Sequence, residues 1–242
     1  MSMSVAPPAA SMPAGIGGAG PVRPKVDVFA YSNYAVTEAE SCRKHADQSP
    51  AAKLFRMKQR FDNFGLIRSV EAVCLVHAHD HPHVLLLESL VGATSVFRLP
   101  GGKCTSDEDE VACLHRKLNK KLFHDLAPGG GGAAGGAGGG ASVAPVGEGG
   151  TQPYRVGDLL CTWTRPNFDP LMYPYRPPHV QKVKEVRSIY LVHLEREAGL
   201  QVPKDYRLVA VPLFDLFDNA AKYGNVIAGV PHVVSRLHVN LC

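Results

Sequence analysis

The chain has 242 residues, 45% of them hydrophobic and 20% charged, enough to bury one sizeable core. Its longest apolar runs, such as residues 84–87, fall far short of a bilayer span, and Pro and Gly interrupt the start where a secretion signal needs an unbroken apolar stretch. The expectation is a protein of the cytosolic or nuclear side; a net charge of +4 fits an anionic partner only weakly.

Residues 1–25 (MSMSVAPPAASMPAGIGGAGPVRPK) are Pro, Gly, Ala and Ser, too poor in large apolar groups to offset the entropy of ordering, and read as a disordered tail. In the extension at 26–65, AAKLFRMKQRFDNF places Leu54, Met57 and Phe61 at helical spacing with basic residues between them, predicting an amphipathic helix over 51–64 ended by Gly65. Residues 70–77 and 83–90 are rich in Val and Leu and predict two strands joined by a hairpin turn at AHDHP. His77, His79, His81 and His83 alternate through that hairpin, but Pro82 is expected to break the strand, so a solvated turn is preferred to a zinc site.

Next comes PGGKCTSDEDEVACLHRKLNKKLF, residues 100–123. Pro100, Gly101 and Gly102 predict a turn that other residues could not follow, and Ser106 is a good N-cap for a helix starting at Asp107. Asp107, Glu108, Asp109 and Glu110 would fill its first turn, and Arg116, Lys117, Lys120 and Lys121 its last turns, complementing the helix dipole from both ends. Val111, Leu114, Leu118 and Leu122 would face the core. The Gly-rich insertion at 128–150 is a flexible linker by composition and no domain boundary, because neither flank is a complete fold. Strands follow at 188–194 and 207–211, and the tail from Pro212 reads as helical, broken at Gly224 and Pro231. Strands and helices interleave, so the class is α/β or α+β, a sandwich. The six cysteines show no C-x-x-C and no paired spacing, and read as reduced.

The spacing of Gly102, Glu108 and Arg116 resembles the frame of the Nudix box, G-x5-E-x7-R-E-U-x-E-E-x-G-U with U aliphatic. In that family the glutamates of the R-E-U-x-E-E segment share one helix face and hold Mg²⁺ against a diphosphate. Here the three positions carry Lys117, Lys120 and Lys121, and residues 111–124 contain no carboxylate in any register. A unit charge pair at 4 Å is worth about 1 kcal/mol in water and about 4 at an effective dielectric of 20, so three ammoniums would repel a divalent cation. Neither a catalytic residue, a metal nor a cofactor is expected, and Glu108 reads as a helix-dipole residue. The competing enzyme reading is a Mg²⁺-dependent hydrolase of dinucleoside polyphosphates built on Glu71, Glu88 and Glu108.

Four stretches narrow the choice: VEAVCLVHAHDHPHVLLLE, FRLPGG, TRPNFDPLMYPYRPPH and VPKDYRLVAVPLFDLFDNAAKYG. Together they resemble the small subunit of pre-mRNA cleavage factor I, also called cleavage and polyadenylation specificity factor subunit 5. The resemblance runs from about Val26 to the C-terminus and leaves out the Gly-rich insertion. It implies a Nudix-type α/β/α sandwich with a mixed sheet, a degenerate Nudix domain over 66–216, and N- and C-terminal helical segments, the latter over 217–242. It implies a nuclear homodimer that binds UGUA elements of single-stranded pre-mRNA without hydrolysis and pairs with a larger RRM-bearing subunit.

Carried over by position, the RNA site would use His45, Lys53, Glu71, Phe97, Leu99, Tyr223 and Gly224, and Tyr173 and Tyr175 would face the larger subunit. Lys53 stands for an arginine and loses its planar fork, His45 stands for a base-reading glutamate, and Val96 stands for a stacking phenylalanine. These departures also allow a scaffold subunit that has lost sequence-specific RNA binding.

Overall fold

The computed structural model describes residues 23–40, 50–91, 94–123 and 153–242. Strand β1 (Lys25–Val28) leads through a short turn at Tyr31–Asn33 to β2 (Val36–Ala39) and then to helix α1 (Pro50–Phe64). The helix ends where Gly65, at φ 72°, donates its amide to the Phe61 carbonyl at 2.8 Å, a glycine cap.

Strands β3 (Ile67–Ala78) and β4 (His81–Val91) form the predicted hairpin, each longer than expected. His79 and Asp80 turn it with φ of 50° and 61°, and two positive φ angles suit the right-handed twist of the flanking strands. Ala78 and His81 close the turn, so the next pair, His77 with Pro82, is one without mutual hydrogen bonds. Pro82 therefore sacrifices no ladder bond, and β4 runs through it instead of breaking there; the His77 amide donates to Phe29 at 3.0 Å.

After β5 (Thr94–Arg98), the predicted glycine turn is a strand, β6 (Gly101–Lys103), paired with β3. Gly101 is obligatory there: at φ 149° a Cβ would lie 2.1 Å from the Val70 carbonyl oxygen. Helix α2 (Glu110–Lys121) begins later than predicted. Its N-cap is Asp109, whose carboxylate accepts from the amides of Val111 at 3.0 Å and Ala112 at 3.4 Å, so Ser106 is not the cap and only Glu110 lies in the first turn. Val111 is 37% exposed, and Cys113 takes the core position beside Leu114, Leu118 and Leu122.

Strands β7 (Tyr154–Arg165), β8 (Glu185–Leu194), β9 (Leu200–Pro203) and β10 (Arg207–Pro212) complete the sheets. The principal sheet runs β10-β4-β3-β8-β7 with β5 on β4 and β6 on β3; β3 and β8 are parallel and the other pairs antiparallel. Alternation divides its side chains between two cores. Val70, Ala72, Cys74, Val76, Leu85 and Leu87 pack on α2, while Val73, Leu75, Val84 and Leu86 pack on the C-terminal helices with Trp163. Both faces are covered, which is why β3 and β4 are nearly continuous apolar runs. Each buried Leu or Val side chain contributes about 1.5–3 kcal/mol. The result is a three-layer α/β/α sandwich.

The C-terminal segment is less helical than its sequence suggests. It breaks into α3 (Leu213–Leu216), α4 (Ala220–Tyr223), α5 (Asn225–Ala228) and α6 (Val230–Val234), then finishes in β11 (His238–Leu241), which pairs in parallel with β1. Among the described residues, Cys74, Cys104, Cys113, Cys161 and Cys242 are free thiols, no helix is long and apolar enough to cross a membrane, and no group of three or more His, Cys, Asp or Glu could hold a metal.

Candidate ligand-binding cleft

Strands β3, β5, β7 and β8, the loop at 170–172 and the α4–α5 junction meet at a cleft of about 550 Å³. Strand β3 brings Glu71, the β5 end brings Val96, Phe97, Arg98 and Leu99, and the α4–α5 junction brings Tyr223 and Gly224. Leu99 is 2% exposed and forms part of the floor. The Phe97 and Tyr223 rings lie 4.9 Å apart and tilted by 55°, an aromatic wall. Tyr223 is fixed from behind: its hydroxyl donates to the Asp215 carboxylate, and the Lys222 ammonium sits 3.3 Å from that carboxylate and 4.7 Å from the ring. The hydrogen bond from Tyr223, with Lys222 beside it, holds Asp215 below its ordinary value. Gly224, at φ 82°, lets the chain reverse between the two short helices.

The cleft also carries Glu71, Arg165 and Arg187, members of a chain of ions that the sequence does not announce. Glu71 pairs with Arg187 at 3.1 Å, Arg187 with Glu185 at 3.2 Å, and Glu185 with Arg165 at 2.9 Å; Ser69 donates to Glu185 at 2.8 Å. Arg165 also donates to the Asp169 carbonyl, tying the loop after β7 to the cleft. Burial alone would push Glu185 up, but the guanidiniums of Arg187 and Arg165 outweigh it and hold the carboxyl at about 2. For Glu71 the balance reverses, and burial raises it despite Arg187. The Arg187 Nε is buried with no hydrogen-bond partner among the described residues. Arg165 could have been suspected from its place at the head of R-P-N-F; Arg187 carries no local signal.

The box-like segment adjoins the cleft through β6, where Gly101 is the register partner of Glu71. Glu108 precedes the helix and is not a helix-dipole residue. It takes a two-pronged bond from Arg116, Nε to Oε1 at 2.6 Å with Nη2 on the other oxygen, and accepts from the Thr105 amide at 3.1 Å and hydroxyl at 3.2 Å. The bond from Arg116 holds its carboxyl at about 2. Arg68 clasps the carbonyls of Ser106 at 2.9 Å and Glu108 at 2.7 Å.

Lys117 is half-buried against Gly102, and burial lowers its ordinary value. Lys121 donates to the Gly101 carbonyl at 2.5 Å, and Lys120 is exposed. A divalent cation does not fit: the three ligand positions are ammoniums, while Glu71 and Glu108 are both engaged by arginines. Glu88 lines a different cavity, beside β2 and β9, so the three acids of the hydrolase reading do not converge.

The remaining predicted residues are scattered. His45 lies outside the described residues, as does the side chain of Lys53, although its backbone is in α1. That helix packs through Phe61 on Phe168 at 5.6 Å, with Lys184 4.3 Å over the Phe61 ring, and Arg60 donates to Cys104 at 2.9 Å. Tyr173 and Tyr175 flank the end of β7, with rings 5.8 Å apart. Tyr173 bridges Thr164 through paired backbone bonds, and Tyr175 is 58% exposed.

A family model described as nucleotide hydrolase, NUDIX_2, matches residues 24–237. The pre-mRNA cleavage factor Im 25 kDa subunit 2 of Arabidopsis thaliana is 40% identical over 216 residues, 89% of this chain and 96% of that protein. The cleavage and polyadenylation specificity factor subunit 5 of Dictyostelium discoideum is 36% identical over 194 residues, 80% and 85% of the two chains. The Arabidopsis thaliana 25 kDa subunit 1 is 34% identical over 217 residues, 89% and 86%. These relatives are cleavage factor subunits although the family description is of a hydrolase. The chain belongs to the Nudix family, in the branch of the cleavage factor Im 25 kDa subunits and cleavage and polyadenylation specificity factor subunit 5.

Proposed function

We propose that this protein binds short, UGUA-like elements of single-stranded pre-mRNA without hydrolysing them, as a nuclear subunit of the 3′-end cleavage and polyadenylation machinery. The observation that carries the reading is the meeting of Glu71, Phe97, Leu99, Tyr223 and Gly224 around one cleft in a chain whose relatives are cleavage factor subunits. An unpaired base needs a ring to stack on, a polar edge to read and cations for its phosphates. Phe97 offers the ring, Glu71 and the backbone beside Gly224 the polar edges, and exposed Arg98 the charge. Val96, at the position where the resemblance implies a second stacking ring, lines the cleft without one. Lysines at the three metal positions support a binding role over hydrolysis. The protein acts as a homodimer, and the exposed Tyr175 with Tyr173 offers aromatic anchors for a larger RRM-bearing subunit.

The test is fluorescence anisotropy with a UGUA-containing RNA and a scrambled control at two salt concentrations. Tighter binding to UGUA that survives moderate salt supports base readout; equal, salt-sensitive binding to both means that only phosphates are contacted. Absent RNA binding with retained binding to an RRM partner identifies a scaffold. Mg²⁺-dependent turnover of a dinucleoside polyphosphate, lost in Glu108→Ala, identifies a hydrolase.

A further inference from the structure

The three lysines of the degenerate box do different things. Lys120 is exposed, and Lys117 packs along Gly102. Lys121 turns inward: its ammonium donates to the Gly101 carbonyl at 2.5 Å, with the Tyr206 ring 5.9 Å away. Gly101 is the register partner of Glu71 across β3 and β6, so this charge rests against the strand pair that presents the cleft's carboxylate, and it acts electrostatically on Glu71. Arg187 approaches the same carboxylate from β8 at 3.1 Å, and Arg98 acts on it from β5. Covalently held cations therefore approach the Glu71 strand from β8, β5 and α2.

We propose that the Lys121 ammonium is a resident cation beside this cleft, standing in for a divalent metal by holding the Gly101 carbonyl, and through it the Glu71 strand, in a binding-ready arrangement. Ligand binding then needs no metal. A metal-bearing cleft must recruit its ion and keep it while phosphates compete for it, whereas a lysine on a helix anchored by Leu114 and Leu118 is present at full occupancy. The inference rests on the RNA-binding reading for its ligand, but not for the placement of the charge. Lys121 is a positioning residue.

The experiment compares three variants of the full chain with the unsubstituted protein by RNA anisotropy, in EDTA and in Mg²⁺, with thermal unfolding as a check of folding. The unsubstituted protein is expected to bind equally in both buffers. Lys121→Gln, which keeps a donor for Gly101 but no charge, is expected to bind about tenfold more weakly, the scale of one charge acting through a partly buried site; Lys121→Arg restores most of the loss. The Lys117→Glu/Lys120→Glu/Lys121→Glu variant is expected to bind one Mn²⁺, read by electron paramagnetic resonance, and to need it for RNA binding, whereas the unsubstituted protein binds none. Unchanged affinity in Lys121→Gln, or a triple variant that folds and takes no Mn²⁺, overturns the proposal. Should the unsubstituted protein bind no RNA, the RNA reading fails, and the Mn²⁺ titration alone decides the placement of Lys121.

Discussion

Glu108 and Arg116 carry the two charges of the G-x5-E-x7-R frame, and the energy of their tie can be measured. Replacing Glu108 by Gln keeps the shape and removes the charge. The folded carboxyl sits at about 2 against an ordinary 4.5, a difference of about 3 kcal/mol before screening. The Glu108 side chain is 15% exposed but Arg116 is 46% exposed, and screening by water reduces the figure to about 1–2 kcal/mol. The folded value is depressed, so the stabilisation is fully present above pH 4.5 and is lost as pH falls towards 2. Urea unfolding at pH 7 should therefore place Glu108→Gln about 1–2 kcal/mol below the unsubstituted protein, a melting shift of about 2–8 °C in a chain of this size. The gap should shrink steadily between pH 4.5 and pH 2.5. A gap that is the same at pH 7 and pH 2.5, or absent at pH 7, refutes the argument that this ion pair holds the loop before α2.

Phe97→Ala should weaken RNA binding by about 1–3 kcal/mol, roughly 5- to 150-fold, in anisotropy titrations, with an unchanged far-ultraviolet spectrum. Gly101→Ala should destabilise the protein by about 3 kcal/mol or more, because the new Cβ would meet backbone at 2.1 Å. Gly102→Ala, whose Cβ meets only the flexible Lys117 side chain at 3.1 Å, should cost under about 1 kcal/mol; urea midpoints compare the two. Glu185→Gln should cost about 3–5 kcal/mol, since it leaves buried Arg165 without its carboxylate while half-buried Arg187 keeps only Glu71, and the loss should appear in thermal unfolding. Tyr175→Ala should reduce capture of an RRM-bearing partner without moving the melting temperature, because its side chain is largely exposed.

Features encoded over a few neighbouring residues were legible without coordinates. The period of Leu54, Met57 and Phe61 located α1, the Val/Leu runs located β3 and β4, and the lysines at 117, 120 and 121 stand where the box frame carries carboxylates. Glu71, Phe97, Leu99, Tyr223 and Gly224 were named from a resemblance in sequence, and the fold sets them around one cleft. The start of α2 was misplaced because its neighbours are distant in sequence. Arg68, 38 and 40 residues away, takes the carbonyls of Ser106 and Glu108 and holds that stretch as a loop until Asp109 can cap the helix.

The deeper omissions have the same cause. Strands β1 and β11 are four-residue segments that pair across the whole chain, Lys25 opposite His238, and neither has enough alternation to declare itself alone. The ion chain from Glu71 through Arg187 and Glu185 to Arg165 exists because β3 and β8 run in parallel, with Glu71 opposite Ile189, and because β7 returns beside β8 with Arg165 opposite Glu185. Sequence by itself determined the periodic elements, the lost carboxylates and the candidate aromatics, since those depend on side-chain type and local spacing. Only the tertiary structure decided which charges meet, because a salt bridge depends on separation in space, and strand register sets that separation.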